Sequence, residues 1–141
     1  MARRGDARRR SGLIYAVIDE LVATLRYTNA GHNAPLLWRG RAEHSADEPV
    51  IERLDCGGTV PGLFSSAEYE EAELKLRSGD VLVACTDGVI EAYDAHDEEF
   101  GEERLAQILT ANARLSAVEI ERLILQAVSG LAALIRKTTR R

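Results

Sequence analysis

The sequence is poor in the residues that usually announce a chemistry. It has two cysteines, three histidines, three prolines and one tryptophan in 141 residues, and 5% of it is aromatic. Two distant cysteines, Cys56 and Cys85, supply no disulfide framework and read as reduced thiols. The histidines at 32, 44 and 96 are scattered, and no H-x-x-x-H or C-x-x-C pair is present to hold zinc. Neither a G-x-x-x-x-G-K phosphate loop nor a G-x-S-x-G nucleophile elbow occurs. No apolar run reaches the ~18 residues of a membrane span, and Asp19 and Glu20 interrupt the first one too early for a secretory leader. A cytoplasmic protein is expected, with no membrane partner.

With so few aromatics, the core rests on Leu, Ile, Val and Ala, and the length suits one domain. Charge is unevenly placed. Residues 1–10 hold five arginines against Asp6, and 136–141 hold four basic residues, while 11–135 carry 22 acidic against 9 basic. The basic ends read as tails at 1–12 and 136–141, flanking a domain at 13–135. Binding to nucleic acid is the sharper alternative. The sequence argues against it, since no aromatics interleave with the arginines and the body is acidic.

Strand signals come first. "LIYAVID" (13–19), "ATLRYTNAG" (23–31) and "APLLWRG" (34–40) have short connections and read as an antiparallel meander. "RAEHSADEP" (41–49) is polar, "VIERLD" (50–55) a weak strand, and "CGGTVPGLF" (56–64) a loop with special backbone angles. "YEEAELKLRSGD" (69–80) alternates and ends in a Ser78-Gly79-Asp80 turn. "VLVACT" (81–86) barely alternates, which predicts a strand buried on both faces. Helical spacing follows. Leu105, Ile108 and Leu109 mark one helix. Ser116 with Glu119 forms a capping box for a second, whose stripe runs Ile120, Leu123, Ile124, Ala127, Val128 and Leu131. Gly130 is expected to end or kink it. The class is α+β, with mainly antiparallel strands followed by two C-terminal helices.

Two clusters stand out chemically. Asp87-Gly88 ends an apolar strand, and reads either as a φ > 0 turn or as a carboxylate ligand for Mg²⁺ or Mn²⁺. Asn29-Ala30-Gly31-His32-Asn33 reads either as a turn or as a polar cluster beside an active site. Gly57-Gly58 and Pro61-Gly62 are a constrained loop or the lining of a groove, and "DAHDEEFGEER" (94–104) is a solvated acidic loop.

"LRYTNAGHNAPLLW", "LDCGGTVPGLF", "LKLRSGDVLVACTDGVIEA" and "EEFGEERL", in this order, resemble the bacterial metal-dependent protein phosphatases of the SpoIIE/RsbU type, in the PPM superfamily. The resemblance covers residues ~13–130 and implies a partial α-β-β-α sandwich. It further implies a Mn²⁺ or Mg²⁺ pair whose bound water attacks phosphoserine or phosphothreonine. The substrates implied are phosphorylated regulators of the anti-anti-sigma type. By this resemblance Asp87 is a metal ligand, and Asn29, Gly31, His32, Gly88 and Glu91 are motif residues near the site. Three acidic segments of the family are absent from the 141 residues: Gly-Asp-x-x-Asp and Asp-Val-x-Gly-His-Gly upstream, and a closing Asp-Asp-x-Thr. Pro61 also stands where the family places an apolar residue. The expectation divides accordingly between a phosphatase segment and a catalytically inactive remnant that binds protein. Sheet edges left open by missing strands would invite self-association.

Overall fold

The computed structural model describes residues 11–40, 50–93 and 98–138. The polar segment 41–49, His44, His96, most of the expected basic tails and part of the acidic loop lie outside the described residues. The elements are β1 (Leu13–Asp19), β2 (Thr24–Ala30), β3 (Leu36–Arg39), β4 (Val50–Arg53), β5 (Gly57–Gly58), β6 (Ala72–Lys75), β7 (Val81–Val83), α1 (Asp87–Ile90), α2 (Gly101–Asn112) and α3 (Ala117–Thr138). Strands precede the two long helices, as the hydrophobic periodicity predicts. The chain forms two compact units, Met1–His32 with Asp55–Leu74, and Asn33–Leu54 with Lys75–Arg141.

The first unit is built on a hairpin. β1 and β2 pair antiparallel over their whole length, from Leu13 opposite Ala30 to Asp19 opposite Thr24. The reversal is local chemistry. The Asp19 carboxylate accepts the Leu21 and Val22 N–H groups at 2.9 and 3.3 Å. Ala23 takes a left-handed φ of 51° to complete the turn. In β2, Leu25, Tyr27 and Asn29 are buried while Arg26 is exposed, so strand alternation resolves into an inside and an outside. β5 runs parallel to the end of β2, and β6 also pairs with β2.

The meander expected over 13–40 holds only for its first two strands. β3 lies in a different, three-stranded sheet of order β4-β3-β7, antiparallel throughout. Pro35 precedes β3, and its carbonyl accepts the Leu54 N–H at 2.8 Å. This second unit holds the larger core: Leu36, Phe100, Leu105, Leu109, Ile120 and Ile124, flanked by half-buried Trp38, Ile51, Val81 and Val83. β7 is not buried on both faces. It is three residues long and sits at the sheet edge, so Leu82 is exposed where a central strand would be covered.

The capping box forms as read. Ser116 N–H and Oγ–H donate to Glu119 Oε2 at 2.9 and 2.7 Å, and Glu119 N–H donates back to Ser116 Oγ at 3.3 Å. These bonds hold the Glu119 carboxyl below its ordinary range. Gly130 neither ends nor interrupts α3, which continues to Thr138. A glycine in a helix interior costs only about 1 kcal/mol, so the apolar stripe of this 22-residue helix overrides it.

Arg39, at the end of the central strand, ties this unit together. Its guanidinium makes a two-point contact with Glu52 on β4, Nε at 2.7 Å and Nη2 at 3.2 Å. Nη1 reaches Asp80 Oδ2 at 3.1 Å and the Lys75 carbonyl at 2.6 Å. The Asp80 side chain is 4% exposed and that of Arg39 14%. The Glu52 bond is the chief reason that the guanidinium is held above its ordinary value, against the opposing effect of burial. By contrast Arg26 meets Glu71 and Glu73 at 3.3 and 3.2 Å in largely exposed pairs.

Two outcomes follow from this contrast. Arg39→Ala, which strands a buried carboxylate, costs about 3–5 kcal/mol in urea unfolding, whereas Arg26→Ala costs under about 1 kcal/mol. For Glu119 the folded value lies below the unfolded one. Its contribution is present above the unfolded value and is lost as pH falls through the folded one. Glu119→Gln removes that acid-side loss from the pH profile of stability.

Candidate functional site

β7 delivers Asp87. After Val83 the chain runs through Ala84, half-buried Cys85 and Thr86, then closes one helical turn, α1. Burial pushes the Cys85 thiol up, keeping it protonated and poorly nucleophilic. Thr86 caps α1 from an extended conformation, φ −78° and ψ 163°, with no side-chain bond. Its carbonyl accepts the Val89 and Ile90 N–H groups at 3.0 and 3.4 Å, and the Asp87 carbonyl accepts the Glu91 N–H at 2.7 Å. The Asp-Gly pair therefore starts a helix and is not the φ > 0 turn that its composition also allowed. Gly88 is not among the residues with positive φ, and a Cβ there would meet only Thr86 Oγ1, at an ordinary 3.7 Å.

The Asp87 carboxylate is exposed and accepts the Gly88 N–H at 3.2 Å. No core contact employs it. Glu91, exposed, is the C-cap residue of the same turn. Beside them a groove of about 480 Å³ runs between β7 and α3, lined by Leu82, Val83, Cys85, Thr86, Ile120 and Leu125. Among the described residues, no three His, Cys, Asp or Glu side chains gather where they could hold a metal ion.

Asn29, Gly31 and His32 belong to the first unit and form a closed polar turn. The Asn29 side chain is buried. Its Oδ1 accepts the His32 N–H at 2.8 Å and its Nδ2 donates to the His32 carbonyl at 3.0 Å. The Asn29 N–H donates to the Cys56 carbonyl at 2.8 Å. Glycine is required on both sides of this turn. Gly31 has φ +73°, and a Cβ there would lie 2.4 Å from Val60 Cγ2; at Gly57 it would lie 1.9 Å from the Asn29 carbonyl oxygen. The Gly-rich loop thus follows the Asn-Ala-Gly-His stretch because the two backbones touch.

Sequence reasoning missed Asp80 and Trp38. "SGD" reads only as a turn, yet Asp80 also accepts the Arg77 N–H at 2.9 Å and anchors Arg39. Asp80 Oδ1 and Trp38 Nε1 are buried without a hydrogen-bond partner among the described residues. The available signal was one arginine closing the apolar run "PLLWR", since a buried cation demands a carboxylate.

The family model described as Stage II sporulation protein E (SpoIIE) matches residues 1–137. Over 108 residues the chain is 32% identical to Protein IcfG of Synechocystis sp., a match that covers 77% of this chain and 16% of that protein. Solved structures share the fold. The phosphatase domain of SpoIIE from Bacillus subtilis, presoaked with Mn, aligns with TM-score 0.56 and 20% identity, covering 84% of this chain and 48% of that one. The SiaA-PP2C domain of Pseudomonas aeruginosa aligns with TM-score 0.58 and 18% identity, covering 85% and 44%. The chain therefore spans less than half of these solved chains and a small part of IcfG.

The Gly31 geometry is directly testable. Gly31→Ala combines positive φ with steric overlap, so it destabilises by more than Gly62→Ala, where φ is +75° in open space and the cost is about 1–2 kcal/mol. Thermal and urea unfolding of the two variants side by side measures the difference.

Proposed function

The chain belongs to the SpoIIE family, and from that membership we propose that it is a segment of a protein serine/threonine phosphatase domain. In this reading the substrate is a phosphorylated regulatory protein of the anti-anti-sigma type. Asp87 contributes one carboxylate to a Mn²⁺ or Mg²⁺ centre that further acidic residues complete. One observation carries it. Asp87 stands just beyond the end of edge strand β7, at the start of a one-turn helix, with an exposed carboxylate bonded to the Gly88 N–H of its own turn.

The family is generally metal-dependent, but the described residues do not by themselves fit a metal pair. Hard divalent cations take six or more oxygen ligands, several of them carboxylates. Asp87 has no gathered partners among the described residues. What this chain's own residues contribute is presentation. β7 fixes where the Thr86-Asp87-Gly88 turn begins, Thr86 and Asp87 carbonyls close it, and Gly88 leaves space beside the carboxylate.

A second reading is a catalytically inactive member that binds a partner protein. It is favoured by the apolar groove between β7 and α3. One experiment separates the two. Mn²⁺-dependent hydrolysis of a phosphoserine protein is measured for the longest natural polypeptide that contains these residues, alongside Asp87→Asn. The phosphatase reading predicts activity that falls by at least the ~10–100-fold seen when residues merely supporting a ligand are lost. Activity untouched by Asp87→Asn overturns the role of Asp87. No activity from either polypeptide supports the binding reading.

A further inference from the structure

We propose that Asp80 is a positioning residue for Asp87: paired with Arg39, it pins the register of β7 and so fixes where the Thr86-Asp87-Gly88 turn begins. Its bearing on catalysis rests on the phosphatase reading, whereas the pin itself stands on contacts inside the second unit. β7 meets β3 through three residue pairs, Trp38 with Val81, Leu37 with Leu82 and Leu36 with Val83. The side chains of these pairs select no register. A one-residue slip turns each side chain to the opposite face, and in Val81-Leu82-Val83-Ala84 that exchanges one apolar residue for another. The next pair along the ladder, Arg39 with Asp80, does select one. Arg39 Nη1 donates to Asp80 Oδ2 at 3.1 Å and to the Lys75 carbonyl at 2.6 Å. The same Oδ2 accepts the Arg77 N–H at 2.9 Å, and the Asp80 N–H donates back to the Arg77 carbonyl at 3.1 Å. A slip of β7 takes Asp80 out of reach of Arg39.

The energetics favour register over stability as the purpose of the pair. The Asp80 side chain is 4% exposed, and its Oδ1 is buried without a hydrogen-bond partner among the described residues. A buried ion pair gains little over apolar residues of similar volume, and setting register is its best-attested use. Distance decides what a slip does to the candidate site. One residue of strand is about 3.3 Å, whereas a functional group has to be held within about 0.5 Å of its productive position. Glu52 supplies the contrast. It grips the same guanidinium at two points, but from β4, on the other side of β3 from β7.

The test compares the longest natural polypeptide that contains these residues with Asp80→Ala, Asp80→Asn and Glu52→Gln. Amide exchange and phosphoserine hydrolysis in Mn²⁺ are measured where urea unfolding shows each variant folded. Asp80→Ala is expected to speed exchange over residues 81–90 while α2 and α3 keep their protection. It is also expected to lower kcat about 100-fold, the cost of a misplacement of about 1 Å, with KM little changed. In Asp80→Asn the amide oxygen can still accept from Arg39 and Arg77, so protection and most of the activity return. Glu52→Gln leaves residues 81–90 and kcat as in the wild type. Arg39→Lys, which keeps the charge but loses the fork that holds Glu52 and Asp80 together, replaces Asp80→Ala if that variant does not fold, with the same selective exchange expected. Exchange over 81–90 that stays unchanged, or that rises equally in α2 and α3, overturns the pin. Activity that needs Asp87 but survives Asp80→Ala overturns the positioning role. A wild type without activity, or with activity untouched by Asp87→Asn, removes the phosphatase reading, and the exchange result still decides the pin.

Discussion

The second unit depends on Arg39. One buried guanidinium, projecting from the central strand β3, fastens β4 through Glu52 and the turn into β7 through Asp80 and the Lys75 carbonyl. Among the described residues β7 is a three-residue edge strand with one neighbouring strand and little apolar burial of its own. Its register against β3 sets where Val83 ends, and therefore where Thr86 caps α1 and Asp87 is displayed. The arrangement concentrates risk. Asp80 is almost fully buried, and it is compensated by a cation that it shares with Glu52. Burying such a group is tolerable only while its hydrogen bonds persist. The position of the candidate site is thus secured by polar contacts at one end of a thin sheet, with the apolar core of α2 and α3 behind it.

The long-period features of this fold were legible in the sequence. The capping box at Ser116 and Glu119, the stripe through Ile120 and Ile124, and the alternation in β2 each state a local rule that the packing obeys. What escaped was set by position within a sheet. "VLVACT" reads as a central strand because its residues are apolar, but apolarity does not reveal how many neighbours a strand has. The third strand of the expected meander likewise looked continuous with the first two. The Asn29 side chain bonding both backbone groups of His32 marks where the first sheet ends, and a linear pattern does not display such a bond.

The motif residues divide by physical role. Gly31 and Gly57 are needed because side chains there would collide with Val60 and with the Asn29 backbone. Gly88 faces no such collision and its backbone is helical. Asn29 is consumed by its turn, whereas Asp87 keeps an exposed carboxylate. The SpoIIE family signature in this chain is therefore partly a folding signature, and only part of it is available for chemistry. Among the described residues, no second and third acidic group gathers with Asp87.

The central proposal, that Asp87 is one ligand of a metal centre that the described residues do not complete, is most directly tested by manganese itself. The free Mn²⁺ paramagnetic resonance signal can be followed as the 141-residue chain is added, with Asp87→Asn as the comparison. A lone carboxylate among water ligands holds the ion weakly. The account therefore predicts no loss of signal at equimolar chain, and only a weak loss at large excess that Asp87→Asn abolishes. Stoichiometric loss of the signal at equimolar chain, in the wild type or in the variant, would contradict it.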